Sequence, residues 1–287
     1  MTDTADRPRL RFRLQTSMGT FYGHVLPGAI LFAFGTWWSL WTWRRHARCR
    51  ATGERFVASA SSGRAEGMAK IFAATVGVAT EIRKCISKGE WAPRNWHHMA
   101  TYVFCGLSGP ADLLSSSSRG PGLLPVDSDY AVLLLSFVGE GLVFHVHSHG
   151  RAPLDVLVHE LLVYAIVAQA ACLGIEMARR SSVVAALARG FCAILQGTWL
   201  IQIAFVLFDP REQKRWDSHS KRDAMLAAAI FPVHVVGALV YVCLLGTMFA
   251  RRGKVIYSRL PKEAEKEKEG CFTAASVRPG ILSALIP

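Results

Sequence analysis

Histidines and carboxylates crowd one short stretch of the sequence, between residues 140 and 159. In chain order they are Glu140, His145, His147, His149, Asp155 and His159. Neutral imidazoles are ordinary zinc ligands in proteins, and a carboxylate that holds a ligating histidine orients its ring. The stretch therefore predicts a metal site in which His147 and His159 bind zinc, while Asp155 and Glu140 orient ligands or water.

Histidines elsewhere in the chain can complete such a site. The candidates for a third ligand are His24, His98 and His234. A zinc-bound water is a nucleophile at neutral pH, so a zinc site among apolar segments predicts hydrolysis of a lipid ester or amide. The spacing Asp155-x-x-x-His159 lacks the glutamate base of the His-Glu-x-x-His motif, so the sequence does not indicate a zinc protease.

The same side chains also allow readings without zinc. Histidines in membrane proteins often hydrogen-bond a neighbouring helix, and Asp155 follows a Pro-Leu helix start, where it can cap the helix. Histidines on two helices can also ligate a haem iron. Glu81, Glu140 and Glu176 could serve as the proton relay of a carrier, although no broken helix or internal repeat supports one. A membrane enzyme, a non-enzymatic scaffold or trafficking protein, and a carrier all stay open.

Seven apolar segments must position these groups. The chain has 287 residues, of which 51% are hydrophobic and only 19% are charged, and the charges are bunched between the segments. The segments cover about 22–43, 67–86, 96–114, 130–147, 154–177, 184–208 and 224–250. Several reach the roughly 20 residues that a helix needs to cross a bilayer. We therefore predict an all-α, seven-transmembrane-helix bundle over residues 20–250, between an N-terminal tail (1–19) and a polar, disordered C-terminal tail (251–287).

The basic charge of the chain lies at the ends of these segments. The formal net charge is +12, with arginines grouped at residues 44–50 and again at 251–252. Cations beside apolar segments are typical of anchoring to anionic lipid, so membrane lipids are the expected partners. No nucleic-acid-binding motif is present in the sequence, so nucleic acid is not an expected partner. No motif names a protein partner.

The polar groups cluster by position once the segments are counted as alternating crossings. The groups that then fall near the N-terminal membrane face are His24, Glu81, His98, His147, Asp155 and His159. The sequence thus predicts one polar pocket near that face. In the sixth segment, Gly197 predicts close helix packing, with the Gln196 amide as an interhelical hydrogen-bonding group.

An ordered set of motifs between about residues 19 and 250 resembles the transmembrane protein 45 family. The motifs are Gly23-His24-Val-Leu-Pro27-Gly28, Trp96-His-His98, His147-x-His149-Gly-Arg151-x-x-Leu-Asp155-x-x-x-His159 and Gln196-Gly-Thr-Trp199. His145 departs from the family, which tends to have Asn or Tyr there. The resemblance implies a seven-span protein of endomembranes (Golgi or endosomal) or of the plasma membrane. It supplies no established reaction.

Overall fold

The described residues form seven helices. The structure, a computed structural model, describes residues 20–115, 123–148, 150–208 and 216–275, with the side chains of all but Pro93, Arg94, His147 and residues 250–275. The helices are α1 (Phe21–Thr52), α2 (Arg64–Lys88), α3 (Pro93–Ser115), α4 (Ser128–His147), α5 (Pro153–Ala178), α6 (Val183–Leu207) and α7 (Lys221–Ala275). Each predicted segment corresponds to one helix, so the all-α prediction is confirmed. The predicted N-terminal tail lies outside the described residues, and disorder of the C-terminal tail stays a prediction.

Local sequence signals set the helix ends. The hydroxyl of Thr20 accepts a hydrogen bond from the backbone N–H of Gly23 at 3.0 Å, which caps the start of α1. Ser182 caps α6 in the same way through the N–H of Ala185. Gly53 ends α1 with φ 73°, a left-handed conformation that glycine adopts without strain. Because no glycine or proline stops the helix between residues 43 and 53, α1 runs about nine residues beyond the predicted apolar segment.

Five of the seven helices are long and apolar enough to cross a membrane. These are α1, α4, α5, α6 and the part of α7 up to Phe249. The other two, α2 and α3, contain more polar and charged residues. The prediction of seven helices is therefore confirmed. That α2 and α3 also cross the membrane is not shown by their length and composition and stays a prediction.

The helices pack side by side in the order α2, α3, α4, α5, α6 and α1, with α7 against the last three. Contacts join α2 to α3, α3 to α4, α4 to α5, α5 to α6 and α6 to α1, while α7 packs on α1, α5 and α6. The main core cluster surrounds Trp199, whose indole N–H donates to the backbone oxygen of Val158 at 2.9 Å. We call the end of the bundle where α1, α3, α5 and α7 begin the first end. The opposite end, toward which these four helices run, is the second end.

A cavity of about 80 Å³ lies between α1 and the group α2, α3 and α4. It forms because α1 packs chiefly on α6 and α7 rather than on α2, α3 or α4. Its walls are mostly apolar, with Glu140 from α4 and Lys70 from α2 among the lining residues.

Candidate functional site

The structure brings together three predicted site residues from α1 and α5. His24 and His159 are buried, with 4% and 0% of their surface exposed, and their rings meet edge to face with centroids 5.7 Å apart. The Nδ1 atom of His159 lies 2.8 Å from Oδ1 of Asp155, one helical turn earlier. This contact of α1 with α5 joins two helices that are far apart in sequence.

Both histidines turn Nδ1 toward an oxygen atom of their own helix or its N-cap. Nδ1 of His24 lies 3.2 Å from the backbone oxygen of Thr20, and Nδ1 of His159 faces the oxygens of Asp155. A neutral imidazole whose Nδ1 donates to an oxygen carries its lone pair on Nε2. Two imidazoles on one tetrahedral zinc, with Zn–N bonds of about 2.1 Å, have ring centroids about 5 Å apart. The 5.7 Å between the centroids of His24 and His159 is close to that spacing.

Asp155 positions His159 and does not act as a helix cap. Arg151 donates from one guanidinium nitrogen to both carboxylate oxygens of Asp155, at 3.1 and 3.2 Å. The residue at the N-cap of α5 is Ala152, and Asp155 lies in the first turn. The carboxylate is therefore held between a guanidinium and an imidazole, which is the arrangement that orients a ligating histidine.

A second polar group closes the same end of the bundle between α2 and α3. Buried Glu81 accepts hydrogen bonds from Lys84 at 2.7 Å and from the Asn95 amide at 3.0 Å. Nδ1 of His98 lies 3.5 Å from the same carboxylate. A Cβ atom on Gly23 of α1 would lie 3.7 Å from Nζ of Lys84, so the two groups adjoin. His24, Glu81, His98, Asp155 and His159 thus all lie at the first end of the bundle, and their role as one functional site stays a prediction.

Other predicted residues lie apart from this pair. His234 packs edge to face on Trp199 with ring centroids 5.5 Å apart, and Glu140 lines the cavity. In the described part of the chain, no hydrogen bond or ring contact joins either of them to His24 or His159. The side chain of His147 and the whole of His149 lie outside the described residues. Among the side chains that are described, no group of three or more His, Cys, Asp or Glu is arranged to hold a metal ion.

A buried ionic network at the second end of the bundle is not predicted by the sequence patterns above. Nζ of Lys70 lies 2.9 Å from Glu66 and 2.7 Å from Asp112, and Nε of Arg189 lies 3.0 Å from Glu176. None of these five side chains is more than 6% exposed. The i, i+4 spacing of Glu66 and Lys70 is visible in the sequence, but their distant partners are not.

Neutral donors and loop carbonyls complete the network. The Trp38 indole donates to Glu66 at 2.7 Å, and the Tyr130 hydroxyl donates to Glu176 at 2.9 Å. Arg189 donates to the backbone oxygens of Ala60 at 2.5 Å and Ser59 at 3.1 Å. These bonds fasten the loop after α1 to α6. The charges are buried with partners, as the low dielectric of a membrane protein requires.

Comparison with known proteins connects this architecture to a family. Residues 127–247, which cover α4 to about the first half of α7, match the family described as "Family of unknown function (DUF716)". Transmembrane epididymal protein 1 of Rattus norvegicus is 25% identical, over 80% of this chain and 80% of that protein. Transmembrane epididymal protein 1A of Mus musculus has the same identity and coverage.

The human relative matches a shorter region. Transmembrane epididymal protein 1 of Homo sapiens is 23% identical over 54% of this chain and 56% of that protein. All three names describe transmembrane proteins, in agreement with the five long apolar helices. The chain is therefore an integral membrane protein that is similar, over residues 127–247, to the DUF716 family and has relatives named transmembrane epididymal protein 1.

Proposed function

We propose that the chain is a seven-span membrane protein of the transmembrane protein 45 type that binds zinc between α1 and α5. The observation that carries the proposal is the buried pair His24 and His159, each with Nδ1 turned to an oxygen and both rings within the spacing of two ligands. His147, which the sequence predicts as a ligand together with His159, ends α4. The resemblance favours endomembranes or the plasma membrane as the location.

The outer faces of α2 and α3 support seven crossings rather than five. On α2, Met68, Phe72 and Ile86 are among the most exposed side chains, whereas Glu66 and Lys70 face inward. On α3, Val103 and Leu107 are half exposed. A helix on the water surface of a protein turns its charges outward and its apolar side inward. The reverse arrangement fits helices whose outer face touches lipid.

Zinc at this site would supply Lewis-acid chemistry suited to hydrolysis of a lipid ester or amide. The residues of the chain would do the positioning. Asp155 holds the ring of His159, and Arg151 holds Asp155. Because Asp155 is held between these two residues, we assign it the role of orienting a ligand rather than that of a general base. Glu140, the other predicted catalytic candidate, faces the cavity instead.

A second candidate function is that of a non-enzymatic scaffold or trafficking protein. The observation that favours it is Glu81, whose contacts with Lys84, Asn95 and His98 join α2 to α3. In this second interpretation, the role of His24 and His159 is structural: their contact joins α1 to α5. The two functions differ in whether the protein contains metal.

Elemental analysis of purified protein in lipid nanodiscs tests the proposal. We expect one zinc per chain, falling about tenfold or more in His24→Ala, His159→Ala and His147→Ala because each removes a ligand. Asp155→Asn should weaken zinc binding by roughly 10- to 100-fold, since it alters only the orientation of His159. Exposed His219 provides the matched control, and His219→Ala should keep its zinc.

Two outcomes would contradict zinc binding. Wild-type protein without stoichiometric zinc, after purification without chelator and with zinc added, would reject it. So would zinc content that is unchanged in the His24 and His159 variants. Loss of thermal stability in those variants, in protein that never contained metal, would instead support the scaffold.

A further inference from the structure

The cavity between α1 and α2–α4 contains a carboxyl group that the helix bundle does not satisfy. Glu140 lines the cavity with 3% of its surface exposed. Within the described residues, its buried Oε2 atom has no hydrogen-bond partner. A buried carboxyl without a donor is costly, so a group that supplies one gains binding free energy here.

Charges near the cavity favour a cation. At the second end of the cavity, Lys70 is the charged lining residue, and it already lies between the carboxylates of Glu66 and Asp112. These three ionised groups sum to a charge of −1, and an ionised Glu140 adds another. A positively charged ligand is therefore attracted to this space, and an anion is repelled.

The lining side chains suit a cation that has an apolar body. Phe34, Trp38, Tyr102 and Phe137 contribute aromatic rings to the wall. Aromatic faces attract an ammonium group and also bury alkyl groups. The Ser136 hydroxyl does not donate to Glu140, since its one proton is shared between the backbone oxygens of Phe104 and Val132 at 2.6 and 2.8 Å.

The size and place of the cavity restrict the shape of this ligand. At about 80 Å³ the cavity is smaller than the engineered cavity of about 150 Å³ that holds benzene. It therefore takes a slender head and a few methylene groups, not a ring system. A longer chain would leave through the side where α1 faces α2–α4, since α1 packs chiefly on α6 and α7.

We propose that this cavity is a binding site for a primary alkylamine, with the ammonium group on Glu140 and the alkyl chain extending between α1 and α2–α4 toward the bilayer. The site is separate from the His24 and His159 pair and does not depend on zinc. Entry from lipid needs no opening of either polar end of the bundle.

Photo-crosslinking of the full chain in nanodiscs tests the proposal. The probe is an octylamine that carries a diazirine in its alkyl chain, and labelled peptides are identified by mass spectrometry. We expect labelling of α1 near residues 30–38 and of α4 near residues 133–140. Octylamine should compete with the probe about tenfold better than octanol, because a hydrogen bond to a charged group is the stronger one.

Two cavity variants and one control separate site binding from partition into lipid. Glu140→Gln should lower site labelling about tenfold while the protein stays folded, since it removes a buried charge without changing the shape of the side chain. Ala73→Leu should lower it by filling the cavity. Glu160→Gln removes an exposed carboxylate on α5 and should change nothing.

Three results would overturn the alkylamine site. Labelling spread evenly over the lipid-facing surfaces of wild type would show partition only. Equal labelling of wild type and Glu140→Gln would show that the Glu140 carboxylate does not bind the ammonium group. Equal competition by octanol and octylamine would exclude recognition of the charge. Since none of these measurements involves zinc, failure here leaves the proposed metal site untouched, and the reverse also holds.

Discussion

Arg189 is the side chain on which the polar groups of the second end converge. It contacts Glu176 of α5, two backbone oxygens of the loop after α1, and the face of the Trp38 ring at 4.9 Å. A planar guanidinium can satisfy an anion, carbonyls and an aromatic face at once, which lysine cannot. Arg189 therefore connects α1, α5 and α6 at that end.

Removal of Arg189 should destabilise the bundle strongly. Arg189→Ala leaves Glu176 as a buried carboxylate without its cation, at a cost of about 3–5 kcal/mol. We expect the melting temperature in detergent to fall by roughly 10 °C, since about 1 kcal/mol shifts a chain of this size by roughly 2–4 °C. Thermal unfolding followed by tryptophan fluorescence measures the change.

Two matched variants identify the cause of that loss. Arg179→Ala removes an exposed arginine and should have little effect. The double variant Arg189→Met with Glu176→Gln should recover part of the stability, because no uncompensated buried charge then remains. Equal melting temperatures for Arg189→Ala and Arg179→Ala would show that the network does not hold the bundle.

Small residues are required where α1 packs on α6. A Cβ atom on Gly197 would lie 2.5 Å from the backbone nitrogen of Phe32, and one on Gly28 would lie 2.8 Å from the backbone oxygen of Gly197. Gly35 and Gly190 meet in the same way one contact further along. The close packing predicted at Gly197 is confirmed. The neighbouring Gln196 amide, predicted to bond between helices, has no partner among the described residues.

Gly197→Ala should push α1 away from α6. Backbone atoms at 2.5–2.6 Å cannot yield as a flexible side chain would, so the variant should lose about 1–3 kcal/mol through overpacking. Gly237→Ala on α7 is the matched control, because a Cβ there meets nothing within 4 Å. It should be neutral or stabilising by up to about 1 kcal/mol through helix propensity. Similar melting temperatures for the two variants would contradict the close contact.

In the part of the chain that the structure describes, the buried charged networks form one layer at each end, with the cavity and mostly apolar packing between them. The first layer contains His24, Glu81 and His159, and the second contains Glu66 and Arg189. Each layer includes residues from α2 as well as from helices that are apolar enough to cross the membrane. Since α2 takes part in both layers, its length matches the depth of its neighbours.

The topology that this arrangement predicts can be measured by cysteine accessibility. In a variant without the seven native cysteines, single substitutions Glu90→Cys and His219→Cys should react with an impermeant maleimide from one side of sealed vesicles. Glu54→Cys should react only from the other side, because one crossing separates each pair of successive turns. The reagent is added outside first, and then after permeabilisation.

The position of residue 90 decides between seven crossings and five. If the α2–α3 hairpin did not cross, Glu90→Cys would react from the same side as Glu54→Cys, while His219→Cys would be unchanged. That pattern would reject the seven-span proposal and leave α1 and α4–α7 as the membrane domain.

The lengths and spacing of the apolar segments were enough to predict seven helices and the all-α fold. The length of a membrane helix is set by the bilayer, so an apolar run of that length shows itself in the sequence. Alternation of direction then placed His24, Glu81, His98, Asp155 and His159 at one end. Both inferences need only local residues and a count of crossings.

Tertiary structure alone decided which of these groups meet. Helical phase does not fix which helix stands beside which, so only the fold shows that His24 reaches His159 while His234 packs on Trp199. Asp112, the partner of Lys70, is 42 residues away in the sequence, and Glu176, the partner of Arg189, is 13 residues away. Both partners lie on other helices, so no local pattern predicts these ion pairs. The cavity beside Glu140 follows from the packing of α1 on α6, a non-local contact whose closeness depends on glycines from both helices.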